Sequence, residues 1–134
     1  MRFTINMARF WLFAAACFLF LVGCGSEPEV VVTPTLSAEM QLGLNVFTDN
    51  CAICHAKSPD TVIRGPSLHG IADRAATTID GQDARAYLYS AIMRPNDHIV
   101  EGFEPIMPET FAKNLSGEEL DAIVAYLLTF ESEP

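Results

Sequence analysis

Cys51-Ala52-Ile53-Cys54-His55 concentrates more chemistry than any other stretch of this 134-residue chain, setting two thiols three positions apart with an imidazole directly after the second. In an oxidising compartment such a pair can close as a disulfide, and within a βαβ unit it would read as a thioredoxin-like redox pair. With His in the fifth position it is also the attachment signature for c-type haem. The spacing has a chemical reason: two thiols at a helix end reach the two vinyl groups of one porphyrin, and the next residue swings its imidazole under the iron. No alternating strand pattern surrounds the motif, so the βαβ context is missing and haem attachment is the expectation.

An axial His needs its second nitrogen held by an acceptor, which orients the ring and raises its basicity. The Pro66 carbonyl, eleven residues on, can accept from His55, although Gly65-Pro66 also reads as a plain turn. The sixth iron position decides between chemistries: a thioether or second imidazole suits electron transfer, whereas an open position suits oxygen or peroxide chemistry. The candidates are Met40, Met93, Met107, His69 and His98. Met40 and Met93 fall on helical core faces, where Met usually packs. Met107 lies in the irregular Pro105-Ile106-Met107-Pro108 stretch, stiffened by its prolines, so less entropy is lost in holding sulfur against iron. His55 and Met107 are therefore the expected metal ligands, with Cys51, Cys54 and Pro66 completing the cofactor site. His69 and His98 read as exposed or hydrogen-bonding loop residues.

Three helices must position these groups. Ser37 is a plausible N-cap for a helix from about Ala38 to Asn50, with Met40, Leu44, Phe47 and Cys51 at helical spacing. A second is expected over Asp83 to Met93, stopped by Pro95. The third starts at Ser116, whose spacing to Glu119 reads as a capping box flanked by Leu115 and Leu120, and runs to about Phe130. Long loops with prolines and glycines lie between. Three helices make a thin core for about 95 residues unless something large and apolar fills it. The expected class is all-α, with long loops wrapped around one covalently bound haem c.

The N-terminus bears on compartment. Arg2 and Arg9 precede the apolar run Phe10 to Val22, which is shorter than the about 20 residues needed to span a bilayer and has the length of a signal peptide. Leu21-Val22-Gly23-Cys24 resembles the lipobox of bacterial lipoproteins, implying lipidation at Cys24; a small-residue cleavage site or an uncleaved anchor are the other readings. The expected organisation is a signal over 1–23, lipidated Cys24 with a flexible tether over 24–36, and one domain over 37–134. The whole chain carries a net charge of −9. Loss of Arg2 and Arg9 would leave six basic residues against seventeen acidic ones, a net −11 that excludes nucleic acid and favours a basic docking face on a partner protein.

Taken together these residues resemble class I monohaem cytochromes c. The match runs through Gly43 and Phe47, Cys51 to His55, Gly65-Pro66-Ser67-Leu68-His69-Gly70, Met107-Pro108 and Leu115 to Leu127. The resemblance implies crossed first and last helices, with Gly43 and Phe47 meeting Ile123 and Tyr126. Met93 to Pro108 is similar to the monohaem lipoprotein subunit of bacterial alternative complex III, and to cytochrome domains fused to some oxidase subunits. His69, and His98 where an aromatic is frequent, depart from the pattern without touching the ligand set. The resemblance and the lipobox together imply an electron carrier rather than an enzyme, lipid-anchored on the outer (periplasmic) face of a bacterial membrane. It would serve a respiratory or photosynthetic chain with a quinol-oxidising complex and a terminal oxidase as partners. The alternatives are a free tethered shuttle to an oxidase or reaction centre, a docking subunit whose haem is largely structural, and a haem sensor or enzyme with a displaceable Met.

Overall fold

The computed structural model describes residues 36–132. The signal segment, Cys24 and most of the tether lie outside them. Five helices occur among the described residues: α1 (Ala38–Val46), α2 (Ile71–Ala75), α3 (Ala84–Met93), α4 (Phe111–Asn114) and α5 (Gly117–Leu127). No helix there is long and apolar enough to cross a membrane, and no strand forms.

Each long helix starts where a side chain satisfies its free amides. The Ser37 hydroxyl accepts from Met40 N–H at 3.2 Å, and the Asp83 carboxylate accepts from Ala86 N–H at 2.7 Å. At α5 the capping box is complete: Ser116 Oγ accepts from Glu119 N–H at 3.2 Å while the Glu119 carboxylate accepts from Ser116 N–H at 2.8 Å. These bonds hold the Glu119 carboxyl below its usual range, the Ser116 N–H contributing most and its hydroxyl next.

Two boundaries differ from the periodicity. The first helix is α-helical only to Val46 and then widens into a π-helical turn over Phe47–Cys51, where Ala52 N–H donates to Phe47 O at 2.9 Å. Thr48 Oγ1 and Asn50 Nδ2 donate to the carbonyls of Leu44 and Val46, competing with the backbone for its acceptors. The last helix ends at Leu127, short of Phe130, which is carried in the turns beyond it. The short helices α2 and α4 have too few residues to show a period.

Helices α1 and α5 cross and make the most extensive contact between elements. Gly43 permits it: a Cβ there would lie 2.3 Å from Ala122 O and 2.6 Å from Tyr126 Cβ, so any side chain would hold the helices apart. Phe47, Tyr126 and Phe130 close the crossing as an aromatic trio with ring centroids 4.9 to 5.9 Å apart in tilted and edge-on arrangements. Ile123 and Val124 are fully buried beside them, and burial of each such side chain contributes about 1.5–3 kcal/mol. Helix α3 packs on α5 and on the short helices, bringing Tyr87, Leu88 and Ile92 into the same cluster.

Candidate functional site

The π-helical turn delivers Cys51 at the end of α1, and in the tight turn after it Cys54 and His55 N–H both donate to Cys51 O, at 3.0 and 2.9 Å. The chain then loops out through 56–64 and returns. Arg64 and Gly65 N–H close on Cys54 O, Leu68 N–H donates to Ala56 O at 2.8 Å, and Ser67 Oγ donates to Ser58 O at 2.7 Å. The guanidinium of Arg74, on α2, donates to the carbonyls of Ser67 and His69. Pro66 is thus fixed against the motif from both sides.

Its carbonyl lies 2.8 Å from His55 Nδ1. A proline carbonyl only accepts, so Nδ1 carries the proton and the lone pair is left on Nε2. The dipeptide therefore does more than turn the chain. Gly65 is required beside it, since a Cβ at that position would lie 2.4 Å from His55 Cε1 and 2.9 Å from each ring nitrogen. The imidazole is half-buried, oriented on one side by Pro66 and backed by a bare glycine.

Cys51 and Cys54 are free thiols. The Cys51 thiol is pushed up to about 11, by burial first and by the neighbouring Cys54 charge second. A redox dithiol needs the opposite, a thiol drawn down toward neutrality, and the absence of strands among the described residues removes the βαβ setting as well. The donor set instead fits a porphyrin: two thiols and an imidazole with its metal-binding nitrogen free, beside a small all-apolar core with no buried polar side chain among the described residues.

Met107 lies on a different segment. It is half-buried, and like Cys51 it packs against the central buried cluster. The segment from Asn96 to Glu109 that carries it is closed at its base by the Asn96 amide donating to the Glu109 carboxylate. Inside, Phe103 N–H donates to Val100 O at 3.1 Å, and Ile106 N–H to Glu104 O at 2.8 Å. Gly102, at φ +85°, lies within the first of these turns. Met93 is also half-buried against the cluster, so burial does not separate it from Met107; it is the last residue of α3, whereas Met107 sits in a loop pinned at both ends. Met40 is half-buried on α1.

His98 is exposed, with its ring edge-on to Tyr87 at 6.0 Å. Half-buried His69 lies in the segment held by Arg74, its N–H donating to Ser67 Oγ at 3.1 Å. No hydrogen bond ties either ring to the Cys51–His55 motif among the described residues.

Sequence reasoning missed two supporting groups. Lys57, two residues beyond His55, places its ammonium 5.4 to 5.9 Å from the ring centroids of Phe47, Tyr126 and Phe130 and donates to the Tyr126 hydroxyl at 3.4 Å. Arg74 was the other. Both contacts cross between elements, and nothing local marks them.

The fold and the motif define a covalent-haem protein, and comparison with known families agrees: the cytochrome c family model matches residues 40–131. The chain belongs to the cytochrome c family, whose members bind haem c covalently and transfer electrons. No curated protein matches the chain.

Proposed function

We propose that this chain is a lipid-anchored, single-haem electron carrier on the outer face of a bacterial membrane, working as a subunit of a quinol-oxidising complex and passing electrons towards a terminal oxidase. The observation that carries the site is the bond from His55 Nδ1 to Pro66 O, which leaves Nε2 as a ready donor beside two free thiols. Bound haem supplies one-electron cycling of its iron between ferrous and ferric states. Cys51 and Cys54 would hold the haem covalently as thioethers, and His55 would ligate its iron with an imidazole oriented by Pro66 and Gly65. Met107 would supply the second protein ligand to the iron, from the loop closed at its base by Asn96 and Glu109. A position closed by thioether sulfur supports transfer without substrate chemistry and draws the potential upward.

Membrane attachment is supported by the order of Arg2 and Arg9, the apolar run and Leu21-Val22-Gly23-Cys24. Membership of a complex is supported by the likeness of Met93 to Pro108 to the alternative complex III subunit.

Two measurements test this. The ferric protein is expected to show the far-red sulfur-to-iron band and to lose it in Met107→His; a wild type lacking the band, or binding carbon monoxide rapidly when reduced, would overturn Met107 as ligand and favour a sensor. Solubilised native membranes, resolved by size, are expected to carry the haem-stained band of this chain with a large quinol-oxidising assembly. Migration near its own mass would replace the subunit assignment with a tethered shuttle.

A further inference from the structure

Helix α2 is five residues long, and no side chain caps its start at Gly70. A helix of that length does not hold its own shape in water. Burial of Ile71 and Ala75 keeps it against the core, but apolar contact is non-directional, so hydrogen bonds must fix its orientation. Two of them come from the segment that follows α5. Ala72 N–H donates to Phe130 O at 3.2 Å, and Ser132 N–H donates to the Asp73 carboxylate at 2.7 Å. These bonds run in opposite directions, so the 130–132 segment straps α2 with both a donor and an acceptor. Gly70, at φ +62°, lets the strap lie close, since a Cβ there would meet Ser132 Oγ at 2.3 Å. The strap is itself anchored, because the Phe130 ring belongs to the aromatic trio of the α1–α5 crossing. From the same short helix, next to Asp73, Arg74 donates to the carbonyls of Ser67 and His69, which follow Pro66 in the return.

We propose that Asp73 and Ser132 are positioning residues for the haem-binding imidazole: their bond fixes α2, and α2 through Arg74 fixes the return whose Pro66 carbonyl accepts from His55 Nδ1. The proposal rests on His55 as an iron ligand and adds a control on that ligand from a distant part of the chain. A ring proton held firmly by its acceptor makes the other nitrogen a stronger donor, which favours ferric iron. A slackened return should weaken that hold and move the potential upward.

The test uses the full-length holoprotein and reads two quantities, the haem midpoint potential and the rate at which the His55 Nδ1 proton exchanges with solvent, followed by NMR in the ferrous state. Asp73→Ala removes the acceptor. It is expected to raise the potential and to speed that exchange by about twofold to tenfold, the factor for loosening one hydrogen bond. Asp73→Asn removes the charge but keeps an oxygen that can accept from Ser132 N–H, and should stay near wild type in both readouts. Ser132→Pro takes away the donor instead and should reproduce Asp73→Ala, so either end of the bond can decide. Ser116→Ala weakens the cap of α5 and should lower the melting temperature while leaving both readouts unchanged. Equal shifts in Asp73→Asn and Asp73→Ala would mean that Asp73 acts by charge, and a shift in Ser116→Ala that the readouts follow general loosening. Either result would overturn the proposal, as would wild-type readouts in Asp73→Ala or Ser132→Pro. If the wild-type His55 ring signals lack the upfield shift that a haem imposes on its axial ligand, the ligand assignment beneath fails; if they show it and the variants change nothing, the strap alone fails.

Discussion

The α1–α5 crossing, whose first helix leads into the Cys51–His55 motif, and the 96–109 loop, which carries Met107, are built on opposite principles. At the crossing, backbone meets backbone at Gly43, three aromatic rings interlock, and Ile123 and Val124 are fully buried. The loop has one side-chain bond at its base, two short turns, and no fully buried side chain between Asn96 and Glu109. Packing over-determines the first region, while the second is held by few contacts. Substitutions at the crossing should therefore act on folding, and substitutions on the exposed side chains of the loop should have little effect on the melting temperature.

Gly43→Ala is expected to give the largest loss. Its new methyl would meet the Ala122 carbonyl, which is backbone and cannot swing aside, so the helices must separate and the aromatic trio must loosen. Overpacking of this kind costs about 1–3 kcal/mol and sometimes more, which for a domain of about this size lowers the melting temperature by about 4–8 °C per kcal/mol. Thermal unfolding followed by circular dichroism would measure it. An unchanged melting temperature would mean that the crossing is not the close contact described.

Gly65→Ala probes the site rather than the scaffold. Its methyl would press on His55 Cε1, rotating the imidazole away from Pro66 O or displacing the 64–67 return. The expected outcome is impaired haem incorporation, or a holoprotein with a shifted potential and altered spectrum. A wild-type spectrum at full haem content would show that the ring does not depend on the glycine.

Acid titration separates a third set of groups. Glu119 and Asp73 are both held below the usual carboxylate range. For Asp73 the Ser132 N–H contributes most, then the Ser132 hydroxyl, with Arg74 adding a smaller pull. Because the folded-state values are the depressed ones, the stability they confer is complete above the ordinary carboxylate range and is lost as pH falls through the lowered folded values. Glu119→Gln should flatten that part of the acid limb of melting temperature against pH, and Ser116→Ala should cost about 1 kcal/mol at neutral pH. An acid limb identical to wild type in Glu119→Gln would mean that the capping box contributes nothing to it.

The chemistry of the site was largely legible in residue types and spacing. The thiols and imidazole are local, so Cys51 to His55 declared its chemistry directly, and the capping box did the same for α5 because its two bonds span three residues. Ser37 was readable as a cap for the same reason, whereas Asp83, expected as the first residue of its helix, is instead the cap before Ala84. The π-helical turn was not, since it depends on Thr48 and Asn50 side chains turning back on their own helix, a choice that the apolar period does not record. Helices α2 and α4 are too short to show a period. Pro66 was narrowed to two roles by sequence, and only the folded return of 64–68 selects between them. Contacts such as Arg74 with Ser67 and Lys57 with Tyr126 depend on the tertiary fold, the latter linking residues 69 positions apart.

Lys57 gives the smallest expected effect and the finest view of how the two regions are joined. Its ammonium sits over the aromatic trio of the crossing while its backbone begins the loop that returns to hold Pro66. A cation over a ring at an exposed site contributes about 0.5–1 kcal/mol, so Lys57→Met, which keeps the stem and removes the charge, should lower the melting temperature by only a few degrees. Lys57→Arg retains the cation and can still stack on the rings, and should recover most of that loss. If Lys57→Met changes stability and leaves the haem potential alone, the lysine merely staples the loop to the scaffold. A shift in potential that Lys57→Arg reverses would mean that the crossing transmits its rigidity through this cation to His55.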